Sequence, residues 1–455
     1  MLLAICASIR FWPVEFQPDS LEEGWFLIII VTALSLTACL YLVVVLQLRQ
    51  IPLDRRWLAY VFVVAAATRL LILGSDIKVE DDYFRYLWDG AVTANGLNPY
   101  AHSPQSLLSQ PEDLTDNDRE EYVRLSHEAP EILSSINHSH LRTIYPPLAQ
   151  GFFATAHWLA PFKIIGLRLA YLILECILAV FLIRSLRSNN KSVLWMVAYL
   201  WNPLILFEIH YRCHYDLLVA LVIFAFIYFL VMKRFKLSAT MLSLAVGGKL
   251  WPILLAPFLL SACKRSRKIL LSVLFILIAM VSVQMIPYKV TLNRYDDSGA
   301  LQYSKEWEAN TLAYLPLKKL YRGIKDHFGY YWDERIPARG TVVLIPLLLS
   351  VLLARRQYLE MNAICQNMCW VVLVMLLLSP TVYAWYYVVM IPLFLYAPSP
   401  VFLVWTVLFP ITYLKKWLIP ELAVSLMLHL PVWGIMTYQA WKFLTARKGI
   451  QTLAE

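Results

Sequence analysis

Residues 217–260 read LLVALVIFAFIYFLVMKRFKLSATMLSLAVGGKLWPILLAPFLL. Residues 217–232 carry no charge, and Lys233, Arg234 and Lys236 follow at once. A second apolar run fills 237–260 and is interrupted by Gly247-Gly248-Lys249, with Pro252 just after. A basic patch between two uncharged runs is the pattern of a short loop joining membrane segments. The second run also ends beside basic residues, since Lys264, Arg265, Arg267 and Lys268 come next. Two short arms meeting near Lys249 fit that arrangement better than one straight helix. Lys249 then lies at a hairpin tip. An ammonium in lipid is costly, so it requires a counter-ion, water or an anionic ligand such as a phosphate. Snorkelling to the interface is the plainer alternative.

The same pattern extends in both directions. Apolar runs fall at about 25–46, 57–73, 148–162, 164–183, 193–209, 217–232, 237–260, 269–287, 341–354, 366–379, 385–397, 401–414 and 421–440. Several reach the ~20 residues that span a bilayer. The shorter ones read as tilted, broken or re-entrant helices around a protein-enclosed cavity. Over 455 residues, 60% are hydrophobic and only 16% charged, too little charge to cover a water-soluble surface. The expected fold class is therefore an all-α polytopic membrane protein with 11–13 transmembrane or re-entrant helices. The net charge of +9 sits in short clusters rather than on a continuous surface, which argues against nucleic-acid binding. The seven cysteines are scattered and mostly within apolar runs, and read as small buried hydrophobes. Residues 1–12 are apolar but lead into Glu15 and Asp19, without the basic-then-apolar order of a cleaved signal.

Basic clusters set the expected orientation. Arg49, Arg55 and Arg56; Arg184, Arg187 and Lys191; the two clusters named above; Arg355 and Arg356; and Lys442, Arg447 and Lys448 are all expected on the cytoplasmic side. Two long polar stretches, 74–146 and 288–340, then lie outside. Their aromatic content argues against disorder, and loops of this length commonly carry function. Two full spans between 147 and 184 would put the Arg184 cluster on the wrong side. Either 148–162 does not cross fully, or one cluster breaks the rule.

Four polar groups stand out. The first long stretch carries Glu80-Asp81-Asp82-Tyr83 a few residues beyond a span, followed by Arg85, Trp88 and Asp89. Adjacent carboxylates repel unless a cation, a metal or a sugar hydroxyl joins them, and a carboxylate at a membrane surface can act as a general base. An acidic turn at a membrane exit is the simpler reading. The second group is Trp201-Asn202-Pro203 with Glu208, His210, Tyr211, Arg212, His214 and Asp216. That density of ionisable groups at a span end is expensive unless they are paired or wet. Two histidines four apart without an HExxH pattern do not argue for zinc. The third is Lys249 with Trp251 and Pro252. The fourth is Ser379-Pro380-Thr381 with Tyr383, Trp385, Tyr386 and Tyr387, either an interfacial belt or a stacking wall for a sugar or isoprenoid.

In these motifs, over about residues 57–400, the chain resembles the GT-C superfamily of membrane glycosyltransferases. Within it, the chain looks most like the polyprenyl- or dolichyl-phosphate-mannose-dependent mannosyltransferases. The family's acidic pair with Asp-Tyr is matched by Glu80-Asp81-Asp82-Tyr83, and its later turn by Gly96-Leu97-Asn98-Pro99-Tyr100. The Pro element that closes the loop is matched by Thr143, Tyr145 and Pro147, the Asn-Pro pair by Asn202-Pro203, and the basic-x-aromatic-Pro element by Lys249-Leu250-Trp251-Pro252. Glu80 departs from the family's first aspartate.

The resemblance implies a GT-C-like fold and inverting sugar transfer, of mannose by analogy, on the non-cytoplasmic side. The donor would be a polyprenyl-phosphate sugar and the acceptor a lipid or glycan. Catalysis is expected of Asp82, Asp81 and Glu80, and phosphate contacts of Lys249, Arg212 and His214. Substrate contacts are expected of Tyr83, Asp89, Tyr145, Asn202, His210, Asp216, Trp251 and Tyr383. No cofactor is fixed by these residues; a divalent cation, magnesium or manganese, is left open at the carboxylates. Residues 1–56 form an expected N-terminal extension, 57–400 the catalytic membrane domain, and 401–455 the C-terminal helices and tail. The compact loop system points to a bacterial inner membrane. Asn137-His138-Ser139 is a nominal glycosylation sequon. A secondary transporter is the rival reading, since it shares broken helices and a buried lysine, but no internal repeat is visible. A non-catalytic scaffold is the third.

Overall fold

A computed structural model describes residues 6, 21–48, 55–77, 80–108, 115–292, 296–355, 359–414 and 419–451. Glu15, Asp19, Arg49 and Arg356 lie outside the described residues. The protein is an all-α polytopic membrane protein; the described residues contain isolated bridges but no strand. The apolar runs become α1 (Leu21–Gln47), α2 (Arg55–Leu73), α4 (Pro147–Leu159), α5 (Ile164–Ser188), α6 (Val193–Leu200) and α7 (Ile205–Tyr211). They continue as α8 (Asp216–Val231), α9 (Phe235–Gly248), α10 (Trp251–Cys263), α11 (Arg267–Leu292), α14 (Arg335–Ala354) and α15 (Met361–Leu378). The last are α16 (Ala384–Leu395), α17 (Pro400–Leu414) and α18 (Glu421–Gln451). Helix α3 (Asp82–Ala94) lies in the first polar stretch, and α12 (Gly299–Glu306) and α13 (Tyr314–Phe328) lie in the second.

Six described helices are long and apolar enough to cross a bilayer alone: α1, α2, α5, α11, α14 and α15. The pair α6 and α7 is long and apolar enough only when taken together, and is bent by 63°. The bend sits at Trp201-Asn202-Pro203, where Pro203 has no N–H to give the helix ladder. Asn202 Oδ1 accepts from Leu204 N at 3.0 Å and starts the next helix. Helices α8, α9, α10, α16 and α17 are shorter and apolar, and α9 and α10 form the expected two-armed break at Lys249.

The parity question has a physical answer. At 13 residues, α4 extends about 20 Å, short of the roughly 30 Å hydrocarbon core. It packs on α3 through Tyr86 and Phe153, stacked at 4.6 Å. Between residues 147 and 188, α5 is the helix long and apolar enough to cross a bilayer alone. Its first turns hold Arg168 against the carbonyls of Leu73 and Ser75, while Arg184 lies about 24 Å further along.

The long polar stretches are folded and joined. Arg142 N donates to Asp297 O at 2.7 Å, and the Arg142 guanidinium pairs with Asp297 and bonds Val290 O. Ala309 N donates to Pro380 O and Val382 N to Ala309 O, so the second stretch is also laced to the Ser379-Pro380-Thr381 break. Both stretches therefore cap the same end of the bundle. The described basic clusters after α5, α8, α10 and α14 lie at the other ends of their helices. All seven cysteines are free; Cys39 and Cys176 are exposed on the helix surface rather than buried.

Candidate active site

Glu80 precedes α3, and its Oε1 accepts from the backbone N of both Asp81 and Asp82 at 3.0 Å, so it ties down the orphan donors of the helix start. Its Oε2 forms an ion pair with Arg212 and lies 3.1 Å from His214 Nε2. Glu208 Oε2 approaches the same two side chains at 3.4 Å. Asp216, two residues on, holds Lys249 Nζ at 2.5 Å. Lys249 also sits 4.3 Å from the centre of the Tyr386 ring, and His214 stacks on Trp385 at 3.8 Å. The four polar groups, far apart in sequence, thus meet in one continuous cluster at the loop-bearing end of the bundle.

The frame around the cluster explains its order. Residues 205–211 are wound with i→i+5 bonds, Arg212 N donating to Phe207 O, a wide form that recurs near functional sites. Its last carbonyls are held by α5. Arg168 Nε donates to His210 O at 3.0 Å, Arg168 Nη2 to Tyr211 O at 3.3 Å, and Tyr171 Oη to Cys213 O at 2.5 Å. Deeper in the bundle, Glu175 binds Arg69 at 2.8 Å and lies 3.1 Å from His210 Nε2. Arg69 Nη1 donates to Leu200 O at 2.7 Å. That carbonyl is the i−4 partner that Leu204 N leaves when it bonds Asn202 instead.

Asp81 and Asp82 face a different partner. Asn137 Nδ2 donates to Asp81 Oδ1 at 2.9 Å and to Asp82 Oδ1 at 2.8 Å. Burial first, then the charge of Glu80, pushes the Asp82 carboxyl up to about 7. Asp81 is raised by the same two causes. For Glu80, burial works upward, but Arg212 and His214 outweigh it and hold the carboxyl well below the usual carboxylate range. One acidic run thus holds a committed anion and a carboxyl poised near neutrality.

Glu80, Asp81 and Asp82 present oxygens within 4.8 Å of one another, the spacing of a cation cage. The protein's own donors already engage part of this set. Both Glu80 oxygens are engaged, one by two backbone donors and one by Arg212 and His214. The Asn137 amide occupies the near oxygens of the aspartates.

Other expected site residues are placed elsewhere. Asp89 is buried between Arg85 at 2.8 Å and Gln150 at 3.1 Å, where it fixes α3 to α4. Asn202 caps the α7 turn, and His210 belongs to the Arg69–Glu175 group. Tyr83 is buried against Phe84, and Trp251 packs on the apolar core. Tyr145 borders the cluster, its ring 5.4 Å from Tyr215, which in turn lies 5.2 Å from Lys249. Tyr383 stacks on Trp385 at 4.4 Å and extends the aromatic wall that ends on His214. Lys249, Arg212 and His214 each face a protein carboxylate, so any phosphate joins two cations, Lys249 and Arg212, that are already positioned.

Sequence reasoning missed Arg69, Arg168 and Glu175; a charge inside an apolar run was the signal available. It read Asn137 only as a sequon, although the structure turns its amide onto two carboxylates. Tyr303, whose hydroxyl pairs with that of Tyr386, carried no local signal.

The family model described as Glycosyltransferase family 87 matches residues 143–380, more than half of the chain. The chain belongs to glycosyltransferase family 87. Among curated proteins and among solved structures, no match is found. Membership decides for a membrane glycosyltransferase against the transporter and scaffold readings. The family 87 match includes Arg212, His214, Asp216 and Lys249 and begins after the acidic run, which the fold brings to them.

Proposed function

We propose that this family 87 glycosyltransferase has a GT-C-type site and moves a sugar, mannose by resemblance, from a polyprenyl-phosphate donor to a lipid or glycan acceptor. The observation that carries the reading is a half-buried Asp82 carboxyl, poised near neutral pH, beside the Arg212–His214–Lys249 cluster at the loop-bearing end of a membrane bundle. A general base works best with a pKa near the working pH. Asp82 accepts the proton of the acceptor hydroxyl. The acceptor oxygen forms its bond to the anomeric carbon as the bond from that carbon to the phosphate oxygen breaks, and the electron pair leaves with the lipid phosphate. A single displacement inverts the anomeric centre. Fixed cations stabilise the phosphate without reorganising during the reaction. The isoprenoid tail stays in lipid while the acceptor arrives from water. With the basic clusters at the opposite helix ends, the site faces the non-cytoplasmic side.

The test is transfer from labelled polyprenyl-phosphate-mannose to a pool of glycan and lipid acceptors by protein in nanodiscs, with Asp82→Asn alongside. Transfer by the wild type that disappears in the variant supports the reading. Equal transfer by both removes Asp82 as the base. Absence of donor binding to the wild type removes the donor class.

A further inference from the structure

The second polar stretch forms a groove of about 650 Å³ that the reaction above does not use. That volume is within the range of pockets that hold small ligands. Its charges are internally matched. Lys318 holds Glu308 at 2.6 Å, Arg322 and Lys325 both hold Glu334, and Arg335 bridges Glu306 and Asp333. Four carboxylates face four cations, so the lining has no net charge. A neutral groove has no attraction for an anionic headgroup or nucleic acid. It does present planar acceptors and donors held in place by ion pairs, suited to hydroxyl groups. Its aromatic wall completes the chemistry: Trp332 is half-buried and Tyr331 fully exposed, an apolar face for the C–H side of a pyranose.

Helix α12 joins the groove to the reaction site. α12 supplies Tyr303, which pairs with Tyr386 over Lys249, and three residues later Glu306 lines the groove. Trp307, the residue after Glu306, packs on His138 at 4.9 Å, next to the Asn137 that holds Asp82.

We propose that this groove binds the uncharged oligosaccharide portion of the acceptor and presents its terminal hydroxyl to Asp82. The proposal rests on the glycosyltransferase reading with a glycan-bearing acceptor. Its test does not depend on turnover. Saturation-transfer difference NMR on the full chain in nanodiscs, with the neutral probes mannotriose and maltotriose, is expected to give a signal for at least one of them. Tyr331→Ala, at a fully exposed position, is expected to reduce that signal several-fold, as is Glu308→Gln, whereas Asp82→Asn keeps it. In transfer assays, Tyr331→Ala is expected to raise the acceptor KM several-fold for a long glycan and leave donor KM and transfer to a short acceptor unchanged. No saccharide signal, a signal untouched by both groove variants, or binding only to phosphatidylglycerol vesicles would each overturn the groove as a glycan site. Absence of transfer by the wild type with its saccharide signal intact would instead count against the catalytic reading alone.

Discussion

At the residue scale, the acidic run separates into different roles because its neighbours differ. Glu80 faces Arg212 and stays ionised; Asp82, beside that fixed negative charge and half-buried, does not ionise easily. Transfer should therefore rise with pH through about 7 as Asp82 loses its proton, and a pH–rate profile of kcat checks this. Stability runs the other way. The folded-state pKa is above the ordinary value of 3.8, so folding favours the protonated form, and the Asp82 contribution is lost as pH rises from about 4 to 7. Asp82→Asn should abolish transfer and, at pH 8, stabilise the fold by on the order of 1 kcal/mol after solvent screening, a gain that vanishes near pH 3. Thermal unfolding at the two pH values measures it. Since Glu80 is fully engaged and the aspartates share Asn137, chelation with EDTA should leave the transfer rate unchanged. A rate that collapses on chelation and returns with magnesium or manganese would refute this.

At the element scale, the bent span is the part that depends most on polar bonds. Pro203 interrupts the ladder, Arg69 takes the Leu200 carbonyl that Leu204 N leaves, and Glu175 balances Arg69. Removing one partner of a buried pair leaves an uncompensated charge, so Glu175→Gln should cost about 3–5 kcal/mol in unfolding experiments. Glu175→Asp should recover part of that loss. The contact of α3 with α4 is equally specific. A Cβ on Gly90 would lie 2.4 Å from Phe153 O, a backbone atom that cannot rotate away. Gly90→Ala should therefore separate the helices, cost about 1–3 kcal/mol and lower kcat by moving the helix start that carries Asp82.

At the scale of the whole molecule, the two long loops and the reaction site share one end of the bundle, and the basic clusters share the other. The positive-inside bias then predicts sidedness. A cysteine in place of Tyr331 should be labelled in intact cells by a membrane-impermeant maleimide, and one in place of Arg187 only after permeabilisation. The reverse pattern would invert the protein and remove the non-cytoplasmic site.

The membrane class, most of the helices and the break at Lys249 follow from sequence alone, because apolar run length and the position of charges are local properties set by the bilayer. The short α4 was less legible. Residues 148–162 are as apolar as a crossing segment, but the helix ends at Leu159 after 13 residues and packs on α3. The site was legible as four separate polar groups. Its pairing was not, because Glu80 meeting Arg212, Asp216 meeting Lys249 and Asn137 meeting Asp82 depend on how distant segments are brought together. Asp89 and His210 look as reactive in sequence as Asp82 and His214. Tertiary structure alone distinguishes them, since a polar group buried in low dielectric must be satisfied by whatever the fold places beside it, and that partner decides whether it braces the scaffold or serves the chemistry.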